Sequence, residues 1–157
     1  MLPIDVDVLR SEYGDRTPTN CLIPGEPGEH SCIVLYRHIR QGINLKDLWG
    51  MLSVYDASFR NQVMNCILGV PIPINQRRPS SKSPTRLNPQ QSAVAYLYAE
   101  VFEQAIAVFG NRELAVKWLV RPCRYLEGCV PLEMVGNVLG YQAVQHYLAG
   151  IRYGVYQ

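Results

Sequence analysis

Asn88-Pro89-Gln90-Gln91-Ser92-Ala93-Val94-Ala95-Tyr96-Leu97-Tyr98-Ala99-Glu100-Val101-Phe102-Glu103-Gln104-Ala105-Ile106-Ala107-Val108-Phe109-Gly110 decides the fold of this chain. Asparagine before proline is a helix start: Asn88 caps, and Pro89 sits at the first helical position, where its missing N–H costs nothing. Val94, Leu97, Tyr98, Val101, Phe102, Ala105, Ile106 and Phe109 then recur at helical spacing until Gly110. The period predicts one long helix over Pro89–Phe109. Its apolar face is broad enough to be buried on more than one side, so it is expected to bridge two helical bundles.

Shorter helical periods lie on both sides. Ahead of it, Ser31 is expected to cap a helix with Ile33, Leu35, Tyr36 and Ile39 on one face and Gly42 as its stop. Asn44 caps Leu45–Leu52, with Leu45, Leu48, Trp49 and Leu52 inward. Ser58 caps Phe59–Leu68, with Phe59, Val63, Cys66 and Ile67 apolar, and Gly69 ends it. After it, Asn111 caps Arg112–Val120, with Leu114, Ala115, Trp118 and Leu119 inward. Pro131–Leu139 follows, stopped by Gly140, and Tyr141–Ile151 closes the series with Val144, Tyr147, Leu148 and Ile151. No period-2 alternation appears, so the class is all-α with no sheet. Three regions follow: an irregular, proline- and glycine-rich arm over 1–30 with a short helix near Asp5–Tyr13, a helix-turn-helix-like module over 31–87, and a helical domain over 88–157.

Composition narrows the function. The 157 residues are 48% hydrophobic and 18% charged, enough apolar material for a core. Net charge is +2 but unevenly placed. Residues 1–30 carry six acids against Arg10 and Arg16, whereas residues 71–87 carry Arg77, Arg78, Lys82 and Arg86 with no acid. A basic block in a near-neutral chain points to a local anionic partner. The five cysteines form no C-x-x-C pair and read as reduced thiols of a cytosolic protein. The acidic N-terminus does not read as a signal peptide, and no apolar run approaches the roughly 20 residues that span a bilayer. His30, His38 and His146 have no Cys or carboxylate at metal-ligand spacing. Glu100 and Glu103 read as a solvated stripe, and no nucleophile or phosphate-loop motif is present. The chain is therefore expected to be neither an enzyme nor a cofactor, metal or small-molecule binder.

Two places remain. Leu45–Arg78 fits a helix-turn-helix arrangement in which Asn75, Gln76, Arg77 and Arg78 would read base edges, with Lys82 and Arg86 on phosphates. Pro71, Pro73 and Pro79 leave barely one helical turn there, so a solvated basic loop is the competing reading. The other place is the tyrosine-rich C-terminal half. Tyr153 and Tyr156 follow the last helix, where little core remains for them, and buried tyrosines are efficient interface anchors.

Ala115-x-x-Trp118-Leu119, Leu126-x-Gly128-x-x-Pro131-Leu132, Gly140 and Gly154-Val155-Tyr156 together resemble the C-terminal toxin-binding region of the Xre/MbcA/ParS antitoxins. The resemblance covers about Ser31–Gln157. Leu68-Gly69-Val70 followed by Arg77-Arg78 is similar to the family's turn and recognition segment, with the prolines as a departure. Residues 1–30 have no counterpart. The resemblance implies a cytoplasmic homodimer whose partner is a RES-type, NAD-consuming toxin, and whose last helix and tail plug the toxin's cofactor pocket. The toxin-facing positions it implies are Ile151, Arg152, Tyr153, Gly154, Val155 and Tyr156, with the carboxylate of Gln157 beside them. It also implies an operator-binding module and repression of the chain's own operon. A stand-alone helix-turn-helix regulator and an immunity protein against a delivered effector are the alternatives.

Overall fold

The computed structural model describes residues 5–25, 30–69 and 85–154. Among the described residues every regular element is helical: α1 (Val6–Tyr13), α2 (Pro18–Leu22), α3 (Cys32–Gln41), α4 (Leu45–Leu52), α5 (Ala57–Leu68), α6 (Pro89–Phe109), α7 (Arg112–Leu119), a 3-10 turn (Arg124–Leu126), α8 (Pro131–Met134) and α9 (Val138–Arg152). The chain divides into two compact units, Met1–Ala95 and Tyr96–Gln157, so the boundary falls inside α6 and not ahead of it.

α6 forms where its start signal places it. The Asn88 side chain accepts a hydrogen bond from Gln91 N at 2.8 Å, and Gln91 Oε1 accepts one from Asn88 N at 3.2 Å. This reciprocal box satisfies two backbone N–H groups that a helix start otherwise leaves unpaired. By length and composition α6 is also the one described helix able to cross a membrane, which no run in the sequence was expected to be. Its Ala95, Tyr98, Ala99, Val101, Phe102 and Ala105 are nonetheless buried within the protein, and Glu100 and Glu103 interrupt it.

In the N-terminal unit, α4 matches its expected bounds, with the Asn44 side chain accepting from Lys46 N at 2.9 Å. α5 starts earlier than expected, because Asp56 and not Ser58 caps it and accepts from Phe59 N at 2.8 Å. The larger difference is at the N-terminus. The short helix expected near Asp5–Tyr13 is α1, whereas Pro18–Leu22, expected as irregular arm, forms α2, and both pack on α4. Leu9, Tyr13, Cys21, Leu22 and Ile23 are buried. The Tyr13 ring lies against the backbone of Gly50, where a Cβ would come within 2.6 Å of it. Tyr13 Oη donates to Asp47 Oδ1 at 2.8 Å, and Arg10 Nε donates to the Ser53 carbonyl at 3.2 Å. The Lys46–Glu12 ion pair at 3.2 Å is exposed and adds little. In α3 no residue is buried, and Ile33 and Tyr36 of its expected core face are more than half exposed.

The stretch after the undescribed 70–84 is held by backbone pairing. Leu45 N donates to Thr85 O and Leu87 N to Ile43 O, each at 2.9 Å, around an isolated antiparallel bridge between Asn44 and Arg86. The buried Ser92 hydroxyl accepts from Ile43 N at 2.9 Å.

Gly50→Ala should destabilise the protein by about 1–3 kcal/mol in denaturant unfolding, since the tyrosine ring must shift to admit a methyl group. Tyr13→Phe should cost about 1 kcal/mol at neutral pH. Burial first, and then the hydrogen bond to Asp47, push the Tyr13 phenol above its ordinary value. That stabilisation is complete below the unfolded-state pKa of about 10 and is lost as pH rises beyond it. The gap between wild type and Tyr13→Phe should therefore narrow above pH of about 10.

Candidate functional site

In the C-terminal unit the site is built on α9, and α9 depends on how it begins. Asn137 caps it, its side chain accepting from Leu139 N at 2.9 Å and Gly140 N at 3.3 Å. The expected helix Pro131–Leu139 stops at Met134, and Gly140, expected as its terminator, lies in the first turn of α9. A Cβ on Gly140 would fall 2.1 Å from the Met134 carbonyl oxygen. Glycine is needed there for close approach between α8 and α9. α9 consequently starts three residues earlier than expected, at Val138 and not Tyr141.

The rest of the unit fixes what α9 packs on. Tyr98 Oη, buried on α6, donates to the Leu132 carbonyl at 2.6 Å and ties α8 down. Val144 and Leu148 of α9 are buried. Phe109, Trp118, Tyr147 and Tyr125 form a row of rings with successive centroid distances of 5.3, 5.7 and 5.5 Å. Such contacts stabilise by about 0.5–1.5 kcal/mol each beyond area burial. Tyr147 is thus held in an aromatic stack, while Tyr125 caps the row with 62% of its surface exposed. Tyr141 Oη donates to Glu100 Oε2 and accepts from the Gln145 amide. Burial, and after it the Glu100 contact, raise its phenol above the usual tyrosine value. Glu100 is therefore a structural acceptor.

The far end of α9 carries the predicted partner-facing residues. Arg152 and Tyr153 line an open groove of about 270 Å³ together with Gln104, Val108, Gln145 and His146. Tyr153 is 77% exposed. Ile151 is half-buried. Gly154 adopts a left-handed φ of 74°, and its N–H donates to the Ile151 carbonyl at 3.1 Å. This is the conformation that glycine adopts at least cost at a helix end. Val155 and Tyr156 lie outside the described residues, as do Asn75, Gln76, Arg77, Arg78 and Lys82.

Arg86, assigned from sequence to phosphate contact, has its guanidinium donating to the Gly42 carbonyl at 2.8 Å. Among the described residues no three His, Cys, Asp or Glu side chains cluster as a metal site, and all five cysteines are free. Sequence reasoning missed Leu139 and Val138, exposed by 74% and 63% at the start of α9. Reading Gly140 as a stop puts both at the end of the preceding helix, with Val138 or Leu139 inward.

Asn137→Ala should lower stability by about 1 kcal/mol through loss of the cap. Gly140→Ala should cost more, about 1–3 kcal/mol, because a carbonyl carbon and oxygen must move aside. Thermal unfolding of the two variants checks the order.

We found no match among curated proteins. Residues 104–154 match the family described as the antitoxin Xre/MbcA/ParS C-terminal toxin-binding domain. That span runs from the last third of α6 through the described end of the chain, and contains Arg152, Tyr153 and Gly154.

Proposed function

With an Xre/MbcA/ParS toxin-binding domain at residues 104–154 as the premise, we propose that this protein is the antitoxin of a toxin–antitoxin pair and silences a RES-type, NAD-consuming toxin by inserting the end of α9 and the tail into its active site. The observation that carries the proposal is the exposed Arg152–Tyr153–Gly154 terminus of α9, set on a matched toxin-binding domain. A cofactor cleft that accepts a dinucleotide is narrow, polar and lined for flat rings. Tyr153 offers such a ring and Arg152 a planar five-donor fork. In this reading Val155 and Tyr156 follow Tyr153 into the cleft. Inhibition is then steric occlusion, and the antitoxin does no chemistry. The free thiols support a cytoplasmic site of action, and the family resemblance implies a homodimer.

The basic block extends the proposal to operator DNA and repression of the chain's own operon. Asn75, Gln76, Arg77, Arg78 and Lys82 are the DNA-facing residues. Arg86 is exposed and donates one guanidinium N–H to the Gly42 carbonyl, and its remaining donors face a phosphate.

Co-expression with a RES-type toxin from the same genome tests the plug. Deleting 152–157 should leave a folded protein that no longer rescues growth, and full rescue by the truncated protein contradicts the proposal. Replacing Gln76, Arg77 and Arg78 with alanine should abolish operator binding in a mobility-shift assay and leave rescue intact. Loss of rescue in that triple variant would favour a stand-alone regulator.

A further inference from the structure

α9 exposes more than its end. Leu139, Gln142, His146, Ala149 and Tyr153 are all exposed, and they follow one another by three, four, three and four residues. That spacing puts them on a single face of the helix. At about 1.5 Å per residue the face is roughly 21 Å long. Its two ends are large hydrophobics, Leu139 at 74% exposure and Tyr153 at 77%, and its middle is small or polar. α9 contains no acid, and its one full charge is Arg152. Val138, also exposed, flanks Leu139. The opposite side of α9, with Val144 and Leu148, is the side buried in the protein.

Leaving two large apolar side chains in water at both ends of one helix face forgoes the gain of burying them. A helix face with widely spaced apolar anchors fits recognition by insertion into a groove of a partner. The span of the family match names that partner, because the whole face lies within residues 104–154.

We propose that the toxin holds α9 at two points, with Leu139 as a second anchor about 21 Å from Tyr153, so that binding continues along the helix beyond the active-site cleft. This rests on the antitoxin reading and adds to it a contact that the tail does not make. The complementary surface on the toxin is a trough with an apolar pocket for Leu139, hydrogen-bonding groups opposite Gln142 and His146, and close backbone approach at Ala149. The tail blocks the cleft, and the Leu139 end sets how long the complex lasts.

The test is affinity between the full-length protein and its cognate RES-type toxin, purified as an inactive variant, by surface plasmon resonance. Leu139→Glu is the main variant. Position 139 is in the first turn of α9, where a carboxylate is favoured by the helix dipole, so the fold tolerates it. Leu139→Ser, with unfolding followed by circular dichroism, guards against a folding artefact. Both variants should bind at least tenfold more weakly, mainly through faster dissociation. Tyr153→Ala should lose affinity independently, and the double variant should combine the losses. Wild-type affinity in both Leu139 variants, with Tyr153→Ala impaired, overturns the second anchor and leaves the tail plug standing. No binding by the wild-type protein overturns both.

Discussion

Gly140 against the Met134 carbonyl is the contact on which the C-terminal unit turns. Two short helices meet there with no room for a side chain. That close approach lets Asn137 cap α9 immediately after α8, and α9 then runs unbroken from Val138 to Arg152. A bulkier residue would push the start of α9 away from α8, and the direction of the whole helix would change with it. The buried bond from Tyr98 to the Leu132 carbonyl fixes the other partner in the contact, so the aim of α9 is set from both sides. Everything attributed to the protein's function depends on that aim.

The N-terminal unit is organised around a comparable close approach. Tyr13 can lie on α4 only because Gly50 presents bare backbone. Its hydroxyl then reaches Asp47, and the acidic first segment becomes part of the core. The amphipathic face of α3, with Leu35, Tyr36 and Ile39, lines an open groove beside the start of α6.

How much of this could be read in the chain follows from the kind of signal involved. Asn88-Pro89 and Asn44 are local starts whose caps form within one turn, and α6 and α4 occur as read. Ser58 and Asp56 compete for one cap, and spacing alone does not choose between them. Gly140 was misread because a glycine that terminates a helix and one that admits a neighbouring carbonyl look identical in sequence. That error hid Val138 and Leu139, which belong to the first turn of α9. Pro18 falls within the stretch read as a proline-rich arm, yet it sits at the first position of α2, where proline starts a helix. Tyr13 against Gly50 is a tertiary contact with no local signature. Tyr153 is expected at the surface because little core remains after the last helix, and it is exposed.

The central claim is that the exposed end of α9 becomes buried in a toxin. Hydroxyl-radical footprinting with mass spectrometry reads this directly at Tyr153, which is open to solvent in the free chain. Strong labelling of Tyr153 in the free protein, and near-complete protection in the toxin complex, is the predicted result. Equal labelling of Tyr153 in the free and bound states would contradict the account.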